Sequence, residues 1–173
     1  IEPQDVAAAA FLLSEAAPWF PPGTVHLAVV DPGVGSARAA VVVIAGGHAL
    51  VGPDNGILAP AAARLGGGAW RRIENRAWRR EPLSQTFHGR DLFAPAAARL
   101  AGGASPAEAG PPHCRPVSFA WPEPRQVRPG LWEGEILHID RFGNAITSLR
   151  PETLGISARG AVSIAFDGGG AEG

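Results

Sequence analysis

The chain has 173 residues, of which 46% are hydrophobic and 18% are charged, and its formal net charge is −1. This balance predicts a globular protein with a large buried core, and it argues against a basic surface for nucleic acid. All fifteen basic residues are arginine, tyrosine is absent and the only cysteine is Cys114, which excludes lysine Schiff bases, tyrosine acids, disulfides and thiolate metal clusters.

The first part of the chain predicts an α/β domain. An alanine-rich helix is expected to start at Pro3, with Asp5 in its first turn, and to run to Ala17, where Pro18 ends it. Two apolar runs, Val25 to Val30 and Ala39 to Ala45, are expected to be strands of a covered sheet. Further along, the pattern predicts a Gly46-Gly47 hairpin, a return strand His48 to Val51, and a helix Ile57 to Leu65 capped by Asn55. The apolar run Val6 to Leu13 is too short to cross a membrane.

The second part of the chain predicts a change of architecture. Trp70 to Arg80 looks like a strand and an exposed arginine–tryptophan arm suited to a subunit interface, and Leu92 to Leu100 looks helical. Frequent prolines then indicate a linker. The predicted domains are an α/β domain over 1–115, a linker over 116–130, and the start of a truncated, β-barrel-like domain over 131–173. Its strands are expected at Leu131 to Ile139, Ala145 to Leu149 and Ala161 to Phe166.

Two charged residues stand at the ends of a glycine-bearing turn. Asp31 ends the first strand and Arg38 begins the second. If these strands are adjacent, both side chains lie at one edge of the sheet, where loops carry function in open α/β folds. A loop closed by a structural ion pair is the simpler interpretation.

Four polar loops are expected to gather in one crevice: 31–38, 52–56, 86–91 and 140–144. His88 is the only one of the five histidines in such a loop. A carboxylate, a guanidinium and an imidazole together suit the binding and deprotonation of a water molecule. Gly33 and Gly35 give only G-x-G, followed by Ala37 and Arg38, so nucleotide phosphates are not supported.

The other polar loops leave alternatives open. Asp54 and Asn55 suit either substrate hydroxyls or an Asx-turn, and the turn is favoured. Asp140 and Asn144 suit an ammonium group and a heterocycle edge, or equally a capped hairpin.

Together these loops resemble one family over nearly the whole chain. Its motifs are Val29-Val30-Asp31-Pro32-Gly33-Val34-Gly35, Val51-Gly52-Pro53-Asp54-Asn55-Gly56, Thr86-Phe87-His88-Gly89-Arg90-Asp91 with Phe93-Ala94-Pro95, and His138-Ile139-Asp140-Arg141-Phe142-Gly143-Asn144. They look like the S-adenosyl-L-methionine hydroxide adenosyltransferases, relatives of the fluorinating and chlorinating enzymes. The resemblance implies attack of water or hydroxide on the ribose C5′ of S-adenosyl-L-methionine, giving adenosine and L-methionine.

The resemblance also implies residue roles. Asp31, Arg38 and His88 match the water-activating set. Substrate contacts are expected from Phe87 and Gly89, with Asp140 on the methionine ammonium, Asn144 on adenine and Phe142 beside the base. Gly89 stands where halogenating relatives have a serine and Asp31 where they have a tyrosine, which favours hydroxide as the nucleophile. A bacterial, cytoplasmic homotrimer with sites between subunits is expected, with no metal and with S-adenosyl-L-methionine as substrate rather than cofactor.

Two departures and two rival functions accompany this resemblance. Family members have an aspartate-bearing strand before the position of Ile1 and further strands beyond Gly173. One rival is a metal-dependent hydrolase with ligands drawn from Asp31, Asp54, His88, Asp91 and Asp140, although their spacing is not diagnostic. The other is a non-catalytic adenosine-binding or assembly module.

Overall fold

The computed structural model describes residues 1–155 and 163–165. The chain divides into two compact units, which we call the amino-terminal unit (Ile1–Trp121) and the carboxy-terminal unit (Pro122–Gly173). The domain limits predicted above remain a proposal. No helix within the described residues is long and apolar enough to span a bilayer.

A four-stranded sheet forms the centre of the amino-terminal unit. Its strands are β1 (Val25–Leu27), β2 (Ala40–Ala45), β3 (His48–Pro53) and β4 (Ala69–Arg72), in the order β1-β3-β2-β4. β1 runs parallel to β3, whereas β2 is antiparallel to both β3 and β4. The condition that the first two strands lie side by side is therefore not met. The Gly46-Gly47 hairpin sends β3 back between them.

Helices cover both faces of this sheet. Val41, Val43 and Leu50 pack on one face with residues of α1 (Val6–Ala16) and α2 (Ala59–Arg64). Val42 and Val51 pack on the other face with residues of α3 (Ala94–Ala101). Nearly every residue of β2 and β3 is buried, because alternating side chains enter two separate cores. The apolar run typical of a doubly covered strand thus predicted these two strands correctly.

The ends of α1 and α2 agree only partly with the sequence-based predictions. Asp5 caps α1, and its carboxylate accepts a hydrogen bond from the backbone N–H of Ala8 at 2.8 Å. A 3₁₀ turn that contains Pro18 follows α1. α2 begins two residues later than expected, and Leu58 occupies its N-cap position without a side-chain bond. Asn55 therefore does not cap α2.

The expected arginine–tryptophan arm is not an exposed arm throughout. After β4 the chain forms a 3₁₀ turn, Arg76–Trp78, in which Trp78 is only 1% exposed. The Trp78 ring lies in the same core as Phe93 and α3. Burial of a large aromatic ring stabilises the monomer itself, so Trp78 contributes no exposed surface to an interface.

The carboxy-terminal unit contains two small antiparallel sheets. β5 (Arg125–Arg128) pairs with β6 (Leu131–Glu133), and β7 (Ile136–Ile139) pairs with β8 (Ala145–Thr147). A one-turn helix, α4 (Pro151–Leu154), follows.

The barrel-like prediction needs correction for this unit. Each described hairpin pairs only within itself, so the strands that the structure describes form no closed barrel. The single strand expected from Leu131 to Ile139 is divided into β6 and β7. Of the strand predicted at Ala161 to Phe166, all but residues 163–165 lies outside the described residues.

Candidate active site

Asp31, Arg38 and His88 come together in the amino-terminal unit. The Arg38 Nε–H donates to both carboxylate oxygens of Asp31, each at 2.9 Å, and Nη2 also contacts Oδ2. The same Nη2 lies 2.7 Å from Nδ1 of His88, 50 positions further along the chain. One guanidinium therefore joins a carboxylate and an imidazole from two separate loops.

The Arg38 guanidinium is held on its face as well as at its edge. Its central carbon lies 5.1 Å from the centre of the Phe93 ring, which is fully buried. The Asp31 and Arg38 side chains are only 6% and 10% exposed. A contact with a ring face and fork-shaped donation together fix the orientation of a guanidinium better than either contact alone.

A tight backbone turn brings Asp31 and Arg38 together. The Asp31 carbonyl accepts from the N–H of Val34 at 3.2 Å, and the Gly33 carbonyl accepts from the N–H of Ser36 at 3.0 Å. Gly35 has φ +79°, and a Cβ there would lie 2.8 Å from the carbonyl oxygen of Gln85. Glycine is required at this position because the turn touches the segment that leads to His88.

His88 stands immediately before a π-helical turn, Gly89–Phe93, which continues into α3. Such turns are rare and often occur at functional sites. Burial and the neighbouring charge of Arg38 lower the pKa of His88, although Asp31 offsets part of this effect. A guanidinium can only donate, so Nδ1 of the neutral ring accepts and Nε2 carries the proton.

The residues that follow His88 form a second arginine–carboxylate pair. Arg90 donates two hydrogen bonds to Asp91, at 2.7 and 2.9 Å, and lowers the pKa of Asp91 to about 2. The Arg90 guanidinium also lies 4.9 Å from the centre of the Phe87 ring, which is 59% exposed. A Cβ at Gly89 would meet only Val29, at an ordinary contact distance of 3.7 Å. Gly89 therefore has space for a small side chain.

The other predicted binding residues lie in the carboxy-terminal unit, in the turn between β7 and β8. Asp140 accepts hydrogen bonds from the N–H groups of Phe142 and Asn144 through Oδ1, and from the Asn144 side chain through Oδ2. Bonds from Asn144 are the main reason that the pKa of Asp140 is lowered. Phe142 is 76% exposed and stacks on Arg141. The geometry is that of a capped hairpin with an exposed aromatic ring.

Sequence reasoning missed the partners of two residues after β3. The buried Asp54 carboxylate binds Nε2 of His113 at 2.7 Å and the N–H of Val117 at 2.8 Å. Asn55 donates from Nδ2 to the Val30 carbonyl at 2.8 Å and accepts from the N–H of Ile57 at 3.2 Å. The bond from Ile57 to Asn55 forms the Asx-turn that the sequence analysis favoured. The other partners lie 25 to 63 positions away along the chain, so no local sequence pattern predicts them.

The acidic residues of the metal-dependent rival are each bound by other side chains. Each is engaged by a different partner: Asp31 by Arg38, Asp54 by His113, Asp91 by Arg90 and Asp140 by Asn144. Within residues 1–155 and 163–165, no three histidine, cysteine, aspartate or glutamate side chains are grouped as metal ligands. The described side chains thus provide no ligand set for that rival.

The fold and the cluster define an α/β protein with a carboxylate–guanidinium–imidazole site built from the loops beside its sheet. A family model described as the SAM hydroxide adenosyltransferase N-terminal domain matches residues 1–110. The chain belongs to the SAM hydroxide adenosyltransferase family.

Similar proteins come from distant organisms. Proteins named (R)-S-adenosyl-L-methionine hydrolase from Salinispora tropica and Thermus thermophilus are each 45% identical to the chain, over 83% and 90% of its length. The matched regions cover 56% and 62% of those two proteins, so the chain spans less than two thirds of their length. A crystal structure of an uncharacterized conserved protein from Thermotoga maritima superposes with a TM-score of 0.82 and 38% identity, covering 89% of this chain and 58% of that one.

Proposed function

We propose that this chain hydrolyses S-adenosyl-L-methionine to adenosine and L-methionine. The observation that carries the proposal is the double contact of Arg38, which binds the Asp31 carboxylate and the His88 ring at once. Relatives named (R)-S-adenosyl-L-methionine hydrolase support the same reaction. Both proposed products follow from the attack of one water molecule at C5′ of the ribose.

The proposed chemistry is a direct displacement. The water oxygen forms a bond to C5′, the C5′–S bond breaks, and its electron pair stays on sulfur to give the neutral thioether of methionine. The leaving group departs without charge, so it needs no proton from a general acid. Alignment of water, C5′ and sulfur then becomes the main requirement on the protein.

The three side chains divide the remaining work. Unbound water has a pKa of about 15.7, so its proton is released as the new bond forms rather than beforehand. Asp31 accepts that proton because its carboxylate is the only acceptor in the cluster besides the occupied Nδ1 of His88. His88, which Arg38 holds through Nδ1, orients the water beside Asp31. Arg38 holds both groups in place.

The proposal extends to the other predicted residues. Phe87 and Gly89 contact the substrate beside the cluster, Asp140 receives the methionine ammonium, Asn144 binds adenine and Phe142 packs on the base. For Asp140 and Asn144, this means that substrate groups take the place of the bonds they make to each other. The active protein is proposed to be a cytoplasmic homotrimer with sites between subunits. Light scattering would test the trimer by measuring the mass of the protein in solution.

The deciding experiment is product analysis by chromatography after incubation of the chain with S-adenosyl-L-methionine. We expect adenosine and L-methionine in equal amounts, with and without added chloride. Labelled solvent oxygen should appear in the 5′-hydroxyl of adenosine, since that oxygen comes from water.

Other outcomes contradict the proposal in distinct ways. Activity that disappears with a chelator and returns with added metal would favour a metal-dependent hydrolase. Adenosine binding measured by calorimetry, without any release of methionine from the substrate, would favour a binding module.

A further inference from the structure

The backbone that leads into Asp31 is weakly held by the sheet. β1 ends at Leu27, and the last ladder-like bond beyond it runs from the N–H of Ala28 to the carbonyl of Val51, at 3.0 Å. Val30 belongs to no strand. The hydrogen bond described for its carbonyl comes from Nδ2 of Asn55, at 2.8 Å.

Asn55 itself is fixed at its other end. Its Oδ1 accepts from the N–H of Ile57 at 3.2 Å, and Ile57 is fully buried in the core beside α2. The amide side chain therefore connects the segment after β1 to the buried residue Ile57. A planar amide with one donor and one acceptor in use has little freedom to rotate.

We infer that Asn55 is a positioning residue for Asp31. The Val30 carbonyl and the Asp31 N–H belong to the same planar peptide unit. A hydrogen bond to that carbonyl oxygen therefore fixes the orientation of the peptide plane that precedes the Asp31 Cα. The inference rests on the proposed function, in which Asp31 takes the proton of the attacking water.

A shift of that peptide plane would reach the whole cluster. The Asp31 carboxylate receives Nε and Nη2 of Arg38, and Nη2 also holds His88. Displacement of the carboxylate therefore changes the orientation of the guanidinium and, through it, of the imidazole. A displacement near 1 Å at such a site costs about a hundredfold in rate.

The chain provides a matched control for a purely structural role. Asn75 makes the same two bonds: Nδ2 donates to the carbonyl of Glu108 at 2.9 Å, and Oδ1 accepts from the N–H of Ala77 at 2.9 Å. The Glu108 peptide leads to no member of the cluster. Asn75 variants therefore report what the loss of this bonding pattern does to the fold alone.

The experiment compares Asn55→Asp and Asn55→Ala with Asn75→Asp and Asn75→Ala. The aspartate variant keeps an oxygen for Ile57 but turns a carboxylate oxygen towards the Val30 carbonyl, so it tests the donor specifically. We expect both Asn55 variants to lower kcat about tenfold to a hundredfold with KM changed less than about twofold. The Asn75 variants should keep the kcat of the unchanged protein.

A second measurement does not depend on catalysis. The Nε–H of Arg38 donates to Asp31, so its exchange with water, followed by ¹⁵N NMR, reports how firmly the pair is held. We expect this exchange to be at least about fivefold faster in the Asn55 variants, in proportion to the loosening of one charge-assisted hydrogen bond by about 1 kcal/mol. It should not change in the Asn75 variants.

The outcomes separate the two proposals. Unchanged exchange of the Arg38 proton in folded Asn55 variants would overturn the positioning role, as would equal effects of the Asn55 and Asn75 variants on kcat. If the unchanged protein releases no adenosine, the proposed function fails. Faster exchange would in that case still support the role of Asn55 in holding Asp31.

Discussion

Asp31 and Asp140 both sit in glycine-containing turns that follow a strand, yet their carboxylates are held in different ways. Asp31 binds a guanidinium seven positions away that also reaches an imidazole 50 positions away. Asp140 is bound within its own turn, by groups no more than four positions away. Long-range contacts assemble the first carboxylate into a cluster, whereas local bonds keep the second in a preformed turn.

This difference suits the two carboxylates to different functions. A carboxylate in a cluster of buried, mutually oriented charges is suited to a chemical step, because its position relative to other reacting groups is fixed. A carboxylate in an exposed turn is suited to binding, since a charged ligand group can replace the bonds from the turn. Substitution and pH test this contrast, and two stability measurements test the loops around Asp31 and His88.

The largest effect is expected from removing each carboxylate in turn. Asp31→Ala should lower kcat by about 10²- to 10⁴-fold with a small change in KM, because the proposed proton acceptor is lost. Asp140→Ala should instead raise KM by about ten- to a hundredfold with a smaller change in kcat, because the proposed charged hydrogen bond to the substrate is lost. Steady-state kinetics with S-adenosyl-L-methionine measures both, and the contrast fails if the two variants change the same parameter.

A smaller effect is expected from pH. Burial and Arg38 lower the pKa of His88 below its usual 6.5, so the ring is neutral at pH 7. As the pH falls through the lowered pKa, Nδ1 gains a proton and no longer accepts from Arg38. The rate should therefore fall with an acid limb below pH 6.5, while Asp140, whose pKa is also lowered from 3.8, stays ionised.

The free energy of unfolding should also decrease as the pH falls, but this measurement does not report on His88 alone. The unfolded chain binds the imidazole proton at a higher pH than the folded chain, so the free energy of unfolding decreases as the pH falls below about 6.5. Burial and the nearby His48 also lower the pKa of His26 and add to this loss. The pH profile of kcat and an NMR titration of the His88 ring are the diagnostic measurements. An acid limb that persists unchanged in His88→Gln would contradict the assignment.

The smallest effect on the fold is expected at Gly89. Gly89→Ser should change the free energy of unfolding by less than about 1 kcal/mol, because a Cβ at this position meets only Val29, at an ordinary contact distance. Gly35→Ser is the matched comparison and should cost about 1–3 kcal/mol or more, because of the positive φ and the Gln85 carbonyl. Chemical denaturation measures both. Equal losses would mean that the two loops are not in contact as described.

The sequence predicted those features that local patterns determine. Continuous apolar runs identified β2 and β3, paired glycines identified their hairpin, and Asp5 with the alanine run identified α1. The Asp31–Arg38 pair was also predicted, although for a partly wrong reason. The two residues meet because the 31–38 turn folds back on itself, and not because β1 and β2 are adjacent.

Features that depend on distant parts of the chain were not predictable in this way. The burial of Trp78 depends on α3, and local composition suggested an exposed arm instead. The bond from Asn55 to Val30 and those from Asp54 to His113 and Val117 join residues that share no periodic pattern. The protonation of His88 on Nε2 required the position of Arg38. The catalytic and binding roles of the site residues remain predictions from the resemblance and the chemistry.

The bonds of Asp54 have a consequence for how the protein is made. The carboxylate at the end of β3 is buried, and its partners His113 and Val117 follow 59 and 63 positions later. A buried carboxylate without partners is costly, so the sheet reaches its final stability only when this later segment has left the ribosome and docked. The family match ends at residue 110, but the compact unit continues to Trp121. A recombinant domain should therefore end after residue 121, because one that stops at residue 110 would leave the buried Asp54 side chain without His113 and Val117.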